Sequence, residues 1–426
     1  MGEVKIPYGE KNLSLKIPAK NLALVFDPPF PSPIKNISRD IIQALESPVS
    51  GPPFSKQIGK GKKVVILIDN FARLTPAFQI LPPILEKIKK AGAQAEILVA
   101  SGGLREMNEA ELKRKLGVEI LQSGIPITQS RCKESWDFEF IGLTTLGTPV
   151  NVHRKLLQAD FSLAITMTQA TLWGYGGGGS MILPGVCSYD TIEWNHRLTT
   201  GRYSGLGYEP PKNTMRLDIE EAANMSGLSM SLLVVLNPDL KIIEITAGET
   251  IATHRESVRK YDRYYTVDKK AIPGGALDIA ISGSFPGDRF FAHACWPAAN
   301  LDFFTRQGGT IILATPAPGG LAHYAYAKDY MPPNKDSFRR LFEDMFYGKQ
   351  PFWHACLWLP VLQALERKEI LVVTEEKNLP AFKQVKLPAV TRMEAALKIA
   401  LKKHGSKAKV GVFPYGKWVL PKGLND

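Results

Sequence analysis

The sequence predicts an α/β protein made of two Rossmann-like domains, each built on a parallel sheet, with a cleft between them. Three observations predict it: the length, the alternation of short β-branched runs with amphipathic segments, and a restart of that alternation near residue 276. At 426 residues and 44% hydrophobic content, the chain exceeds one ordinary core and has apolar material for two. The expected domains are 1–265 and 276–426, with the last strand able to pack back on the first. Tyr261–Gly275, which contains Lys-Lys-Ala-Ile-Pro-Gly-Gly, reads as a hinge.

Val64–Asp69 is a β-branched run that reads as a fully buried strand. Pro76–Ala91 carries apolar residues at helical spacing and ends in Lys-Lys-Ala-Gly, with cations and then glycine at the C-terminal end. Ala95–Ala100 completes a βαβ unit, which favours a right-handed crossover. A helix near Asn108–Lys115, a strand at Phe161–Met167, a glycine-rich loop at Gly174–Gly179, a helix from Tyr189 and a strand at Leu240–Thr246 follow. The second half offers strands at Leu277–Ser282, Thr310–Ala314, Ile370–Thr374 and Val410–Pro414. Its helices are expected near Arg289–Gln307, Ser337–Tyr347, Leu357–Arg367 and Arg392–Lys403. Ligands of such sheets bind beyond the strand C-termini, so the cleft is the expected site.

Composition narrows the function classes. There is no stretch of about 18 uninterrupted apolar residues, and Met1–Pro7 carries no basic segment leading into an apolar one, so neither a membrane span nor a secretion signal is expected. Cys132, Cys187, Cys295 and Cys356 are scattered without close pairing, which argues against a disulfide framework or zinc knuckle and for free thiols in the cytoplasm. The net charge of +12 draws on Lys56–Lys63 and Lys402–Lys409, which lack interleaved aromatics. They read as a solvated basic surface, and nucleic acid is not an expected partner.

Four segments could carry chemistry. In Asp69-Asn70-Phe71-Ala72-Arg73-Leu74-Thr75-Pro76 the first strand meets its helix, where anions are favoured and Arg73 can grip a carboxylate through two hydrogen bonds. The alternative is that Asn70 or Thr75 only caps the helix while Arg73 points to water. Ser101-Gly102-Gly103 occupies the equivalent place after the second strand and is ambiguous between close ligand approach and a plain turn. The run Gly174-Tyr175-Gly176-Gly177-Gly178-Gly179-Ser180 lies between a buried-looking strand and Leu183-Pro184-Gly185, a setting that fits a loop wrapping a phosphate or flat cofactor better than a linker. It lacks the Gly-Lys-Ser/Thr of a Walker loop, and no acidic residue follows as in a dinucleotide site, which disfavours a nicotinamide-dependent dehydrogenase. His196 is either a helix-end residue or a metal ligand, and without paired histidines or a cysteine cluster any metal there needs donors from a cofactor.

Leu183-Pro184-Gly185-Val186-Cys187-Ser188-Tyr189-Asp190-Thr191-Ile192, leading to Asn195-His196, resembles the signature of the nickel-dependent lactate racemase family, and the resemblance runs from about Lys63 to the C-terminus. It implies a nickel-pincer nucleotide that gives nickel two sulfurs and a carbon, a donor field suited to Ni(II), with His196 as the protein's ligand. It further implies that Arg73 and Trp353 seat the cofactor and a small 2-hydroxy acid. Asn70, Thr75, Gly102, Gly176, Gly177, Gly178, Gly179 and Ser180 would lie against the cofactor, and cofactor-making proteins would be partners.

The departures from that pattern are informative. Ser180 stands where the family joins a lysine covalently to the cofactor, so any cofactor here is expected to be non-covalent. Leu104 and Ala170 stand where it has two proton-exchanging histidines, and Trp296 and His293 where it has a lysine and a glutamine. Leu104 and Trp296 suggest a larger, less polar pocket. Losing a positioned base typically costs about 10²–10⁴-fold in rate, and Tyr175 and His293 are the candidate replacements. The resemblance implies a racemase or epimerase of a 2-hydroxy acid acting by hydride transfer. The alternative is a catalytically silent relative that binds a nucleotide-like cofactor or a hydroxy acid.

Overall fold

Lys63–Asp69 buries six of its seven residues, so the run must have protein on both faces. In the structure, a computed structural model that describes residues 2–321 and 338–425, it sits inside a six-stranded sheet. The order is Ile242–Gly248, Met230–Leu236, Phe161–Met167, Lys63–Asp69, Gln94–Ala100 and Ile127–Gln129. All neighbours are parallel except the pair formed by Met230–Leu236 and Ile242–Gly248. Register places Ile66 between Ile97 and Leu163, so the three central strands end at one edge.

The second sheet also has six strands, in the order Ala389–Val390, Glu369–Val373, Thr305–Ala314, Leu277–Gly283, Val410–Phe413 and Leu22–Val25, all parallel. The α/β class and the parallel sheets therefore hold. The last of these strands comes from the beginning of the chain: Leu22–Val25 pairs with Val410–Phe413, and Val4, Ile6, Leu15 and Ile17 share a core with Ile279, Ile281 and Val412. The beginning of the chain completes the second sheet because that sheet's open edge and apolar face would otherwise be uncovered.

Three other readings change. Met230–Leu236 is a fully buried apolar strand that the sequence reading passed over. The helix expected over Arg289–Gln307 breaks into Phe291–Ala294 and Trp296–Asp302, because Pro297 cannot donate a backbone bond and falls where a new helix starts. The expected hinge is in its first part the end of the helix Thr250–Tyr265, and Tyr261 and Tyr265 lock it by donating to the carbonyls of Trp418, at 2.5 Å, and Leu236, at 2.6 Å. Ser337, the expected start of one helix, lies outside the described residues; that helix is seen as Phe338–Phe346. All four cysteines are buried and free, and no described helix is long and apolar enough to cross a membrane.

The polar joint that shapes the cleft is at Asp69, on the C-terminal end of the central strand. Its carboxylate accepts from Thr166 Oγ1 at 2.7 Å, from Thr75 Oγ1 and from Lys115 Nζ. Lys115 also donates to the carbonyls of Arg73, at 2.9 Å, and Thr75, at 3.2 Å. Strand, loop and the helix Glu109–Leu116 are thus tied to one buried ion pair. Removing one partner of such a pair leaves an uncompensated charge. Lys115→Met is expected to lower unfolding free energy by about 3–5 kcal/mol, read from urea titrations; a loss below about 1 kcal/mol would show the pair to be incidental.

Candidate functional site

The helix Tyr189–His196 explains why the Ser-Tyr-Asp-Thr-Ile…Asn-His run has its spacing. Ser188 caps it by accepting from Thr191 N–H, Thr191 Oγ1 donates to the Pro149 carbonyl at 2.7 Å, and Asn195 Nδ2 donates to Asp218 at 2.7 Å. With its helix fixed at three points, His196 turns inward, 1% exposed. Its Nδ1 lies 2.8 Å from the Ile192 carbonyl. A carbonyl only accepts, so Nδ1 carries the proton, and in the neutral ring the lone pair is on Nε2.

Two tryptophans box that imidazole edge-on: Trp173, with ring centroids 5.3 Å apart, and Trp353, at 4.9 Å. Trp353 arrives from the second half on the short helix Phe352–Ala355. Glu193, one turn before His196, holds that helix by accepting the N–H groups of Phe352 at 2.9 Å and Trp353 at 3.0 Å. Gly103 makes room, since a Cβ there would fall 2.3 Å from the Trp353 ring.

His196 lines a cavity of about 120 Å³ over the edge of the first sheet. Of the sequence candidates, Asn70, Arg73, Gly102, Tyr175, Gly176, Gly177, Ser180, His196 and Trp353 share this cavity, with Leu104 in its wall. The others lie elsewhere. Thr75 gives its hydroxyl to Asp69 and faces an adjoining hollow. Gly178 and Gly179 are packing glycines: added Cβ atoms would sit 3.1 Å from His254 and 3.2 Å from Ala223, so the bare backbone lets the loop nest between two helices. Asn70 is committed to the fold, its amide donating to the Ser101 carbonyl at 3.1 Å while its Oδ1 accepts from Ala72 N–H.

Tyr175 Oη donates to Asp262 at 2.7 Å, and burial holds its hydroxyl well above the usual phenol range, which removes it as a base near neutral pH. His293 and Trp296 belong to the second half, with rings 5.1 Å apart. Trp296 is buried there and does not enlarge the cavity.

Two cations escaped the sequence reading. Arg216, 2% exposed, lines the cavity and donates from Nη1 to Ser180 Oγ at 2.6 Å. Its signal was a basic residue on the apolar face of Met215, Ile219 and Ala222. Lys417, 4% exposed, has its ammonium 4.8 Å from the Trp296 ring centre and close to Gly287, where a Cβ would meet Nζ at 2.5 Å. Burial first, and then repulsion by Arg73, bring it down to about 7. No local pattern announces it.

Among the described residues no three His, Cys, Asp or Glu side chains gather to hold a metal ion. The donor set fits a metal brought by an external ligand: one tautomer-fixed imidazole, two flanking aromatic edges, close-approach backbone at Gly102, Gly176 and Gly177, and cations at Arg73 and Arg216.

A protein of two largely parallel sheets, with one inward imidazole beside a glycine loop in a cavity over the first, is the class that fold and site define. Residues 8–207 match the family model described as the lactate racemase N-terminal domain. The lactate racemase of Thermoanaerobacterium thermosaccharolyticum is 25% identical over 431 residues, 99% of each chain. That of Lactiplantibacillus plantarum is 24% identical over 441 residues, 99% of this chain and all of that one. The solved lactate racemase apoprotein from T. thermosaccharolyticum superposes with a TM-score of 0.89 at 22% identity, over 99% of this chain and 100% of that one. A Thermotoga maritima structural-genomics protein does so at 0.69 and 14% identity, over 92% and 99%. Residues 8–207 thus resemble the lactate racemase N-terminal domain, and the whole chain is similar to lactate racemases in sequence and shares their fold.

Lys417 gives a pH signature. Its folded-state value lies below the 10.5 of a free lysine, so between about 7 and 10 the unfolded chain binds more protons and stability rises with pH. Below about 7 the full cost of charging a buried amine is present. Lys417→Met lacks that cost and is expected to gain on the parent by a few kcal/mol at pH 6.5, with the gap shrinking at pH 9.5. Urea titrations of both proteins at the two pH values measure this; an equal difference at both would contradict it.

Proposed function

We propose that this protein is a racemase or epimerase of a small 2-hydroxy acid that uses a nickel-pincer nucleotide held without a covalent bond. The observation that carries the reading is the His196 imidazole, whose Nδ1 is committed to the Ile192 carbonyl and whose ring lines the cavity. When bound, the cofactor would supply a nickel-supported ring able to take a hydride from the hydroxyl-bearing carbon and return it to either face.

The chain's own residues do the rest. His196 would ligate the metal through Nε2, and the two tryptophan edges keep its ring from turning. Arg73, anchored through its own carbonyl to Lys115, would bind the substrate carboxylate bidentately. Trp353 would shield the reacting carbon from water.

The hydroxyl proton needs a base that Leu104 and Ala170 cannot provide. His293 and Lys417, both packed against Trp296 outside the cavity lining, are the remaining candidates; Lys417, close enough to Arg73 to feel its charge and titrating near 7, would have to be brought to the substrate. A cavity of about 120 Å³ is well below the roughly 300–1,000 Å³ of ordinary ligand pockets. A nucleotide would therefore need more room than this cavity leaves; Arg289, 3.3 Å from Glu111, is one contact that joins the two halves beside Arg73. Such a protein would work in the cytoplasm beside the enzymes that make the cofactor.

One observation favours a second reading. The Tyr175 hydroxyl is spent on Asp262, and the two histidine positions hold apolar residues, as a ligand-holding relative without turnover would have them. The deciding experiment is production alongside the cofactor-making enzymes, followed by metal analysis, native and denaturing mass spectrometry, and turnover on a panel of hydroxy acids. The expected result is one nickel per chain, an adduct seen in native but not denaturing spectra, and racemisation of at least one acid. Cofactor bound without turnover on any acid would favour the silent relative, and absence of nickel and adduct would overturn the racemase reading and leave only a relative that binds a hydroxy acid.

A further inference from the structure

Arg216 is placed by its helix. Asn213 caps the helix Thr214–Met225 by accepting Arg216 N–H at 3.0 Å, and the side chain reaches beneath the glycine loop, 2% exposed. Nη1 donates to Ser180 Oγ at 2.6 Å and Nη2 to the Gly177 carbonyl at 3.4 Å. Nε is buried and has no hydrogen-bond partner among the described residues. Gly176, Gly177, Ser180 and Arg216 together form one wall of the cavity that holds His196.

Arg216 shares its carboxylates: Glu220 and Glu209, which favour its charge, also face Arg255. Glu220 is engaged by Arg255 at 2.8 Å, and Glu209 lies 3.7 Å from the same arginine. Burial also pushes the Glu209 carboxyl up, toward its neutral form. His254 stands between the two arginines, Nε2 at 3.3 Å from Arg216 and Nδ1 at 3.2 Å from Arg255. A neutral imidazole has one lone pair, so it satisfies only one of them. A buried guanidinium that borders a cavity is costly without an anion, and its enclosed Nε adds to that cost.

We propose that Arg216, oriented by Ser180 and the Gly177 carbonyl, is a fixed anchor for an oxyanion of the cavity's ligand, a carboxylate or a phosphate. Position 180 then carries a small hydroxyl because the cation comes from the neighbouring helix, and a lysine there would press a second positive charge on Arg216. The inference deepens the non-covalent part of the function proposed above, yet its anion site stands or falls on binding alone.

The test is calorimetric titration of the cofactor-free protein with nicotinate, a flat ring bearing a carboxylate, and separately with inorganic phosphate. The parent is expected to bind at least one, and the tighter of the two identifies the oxyanion. Arg216→Met is expected to weaken that binding by roughly ten- to a hundredfold, while Arg216→Lys, which keeps the charge without the fork, falls between. Ser180→Asp supplies an internal carboxylate: it is expected to raise the urea midpoint and abolish binding of the probe. Parent protein that binds neither probe, unchanged binding in Arg216→Met, or a Ser180→Asp variant that is destabilised and still binds would each overturn the proposal. None of these measurements uses nickel, cofactor or turnover, so a protein that loads nickel but fails them loses only the anchor.

Discussion

The 2.8 Å contact between His196 Nδ1 and the Ile192 carbonyl is the constraint on which the site depends. It decides where the imidazole proton resides, and with it the direction of the lone pair. Everything around it serves to keep that ring still: Ser188, Thr191 and Asn195 pin the helix, and Trp173 and Trp353 close on the ring edges. Glu193 couples the two halves of the molecule at this point, because the residue that holds the Trp353 helix lies on the same helix as the histidine.

A second constraint sets the opposite wall. Asp69, Lys115, Thr75 and Thr166 form a buried polar joint at the end of the central strand, and the Arg73 loop hangs from it. Buried ion pairs add little net stability but are expensive to break, so this one fixes loop geometry more than it strengthens the fold. Between the walls the cavity has cations on two sides, Arg73 and Arg216, and aromatic edges above. Such a site favours a planar ligand with negative groups at its ends.

Much of the fold was legible because buried parallel strands write themselves as apolar runs: Phe161–Met167 was read to the residue, and Val64–Asp69 and Ala95–Ala100 fell within one residue of the strands found. The parts that were not legible depend on distant partners. Leu22–Val25 is an ordinary short strand whose membership is decided by an edge nearly four hundred residues later, at Val410–Phe413. The glycine run shows the same limit. Its composition suggested a ligand cradle throughout, whereas only Gly176 and Gly177 face the cavity and Gly178 and Gly179 serve helix packing. Lys417 is not legible for the complementary reason: it is an isolated basic residue made notable by burial that tertiary structure alone imposes, whereas Arg216 leaves only the faint mark of a cation on an apolar helix face.

The protonation pattern of the His196 ring is observed directly by nitrogen NMR. In protein labelled with ¹⁵N-histidine, long-range proton–nitrogen correlation between pH 7 and 8 is expected to show His196 with Nδ1 protonated and Nε2 as a pyridine-type nitrogen. Finding the proton on Nε2 instead, with Nδ1 bare, would contradict the Ile192 contact and the metal-ligand role built on it.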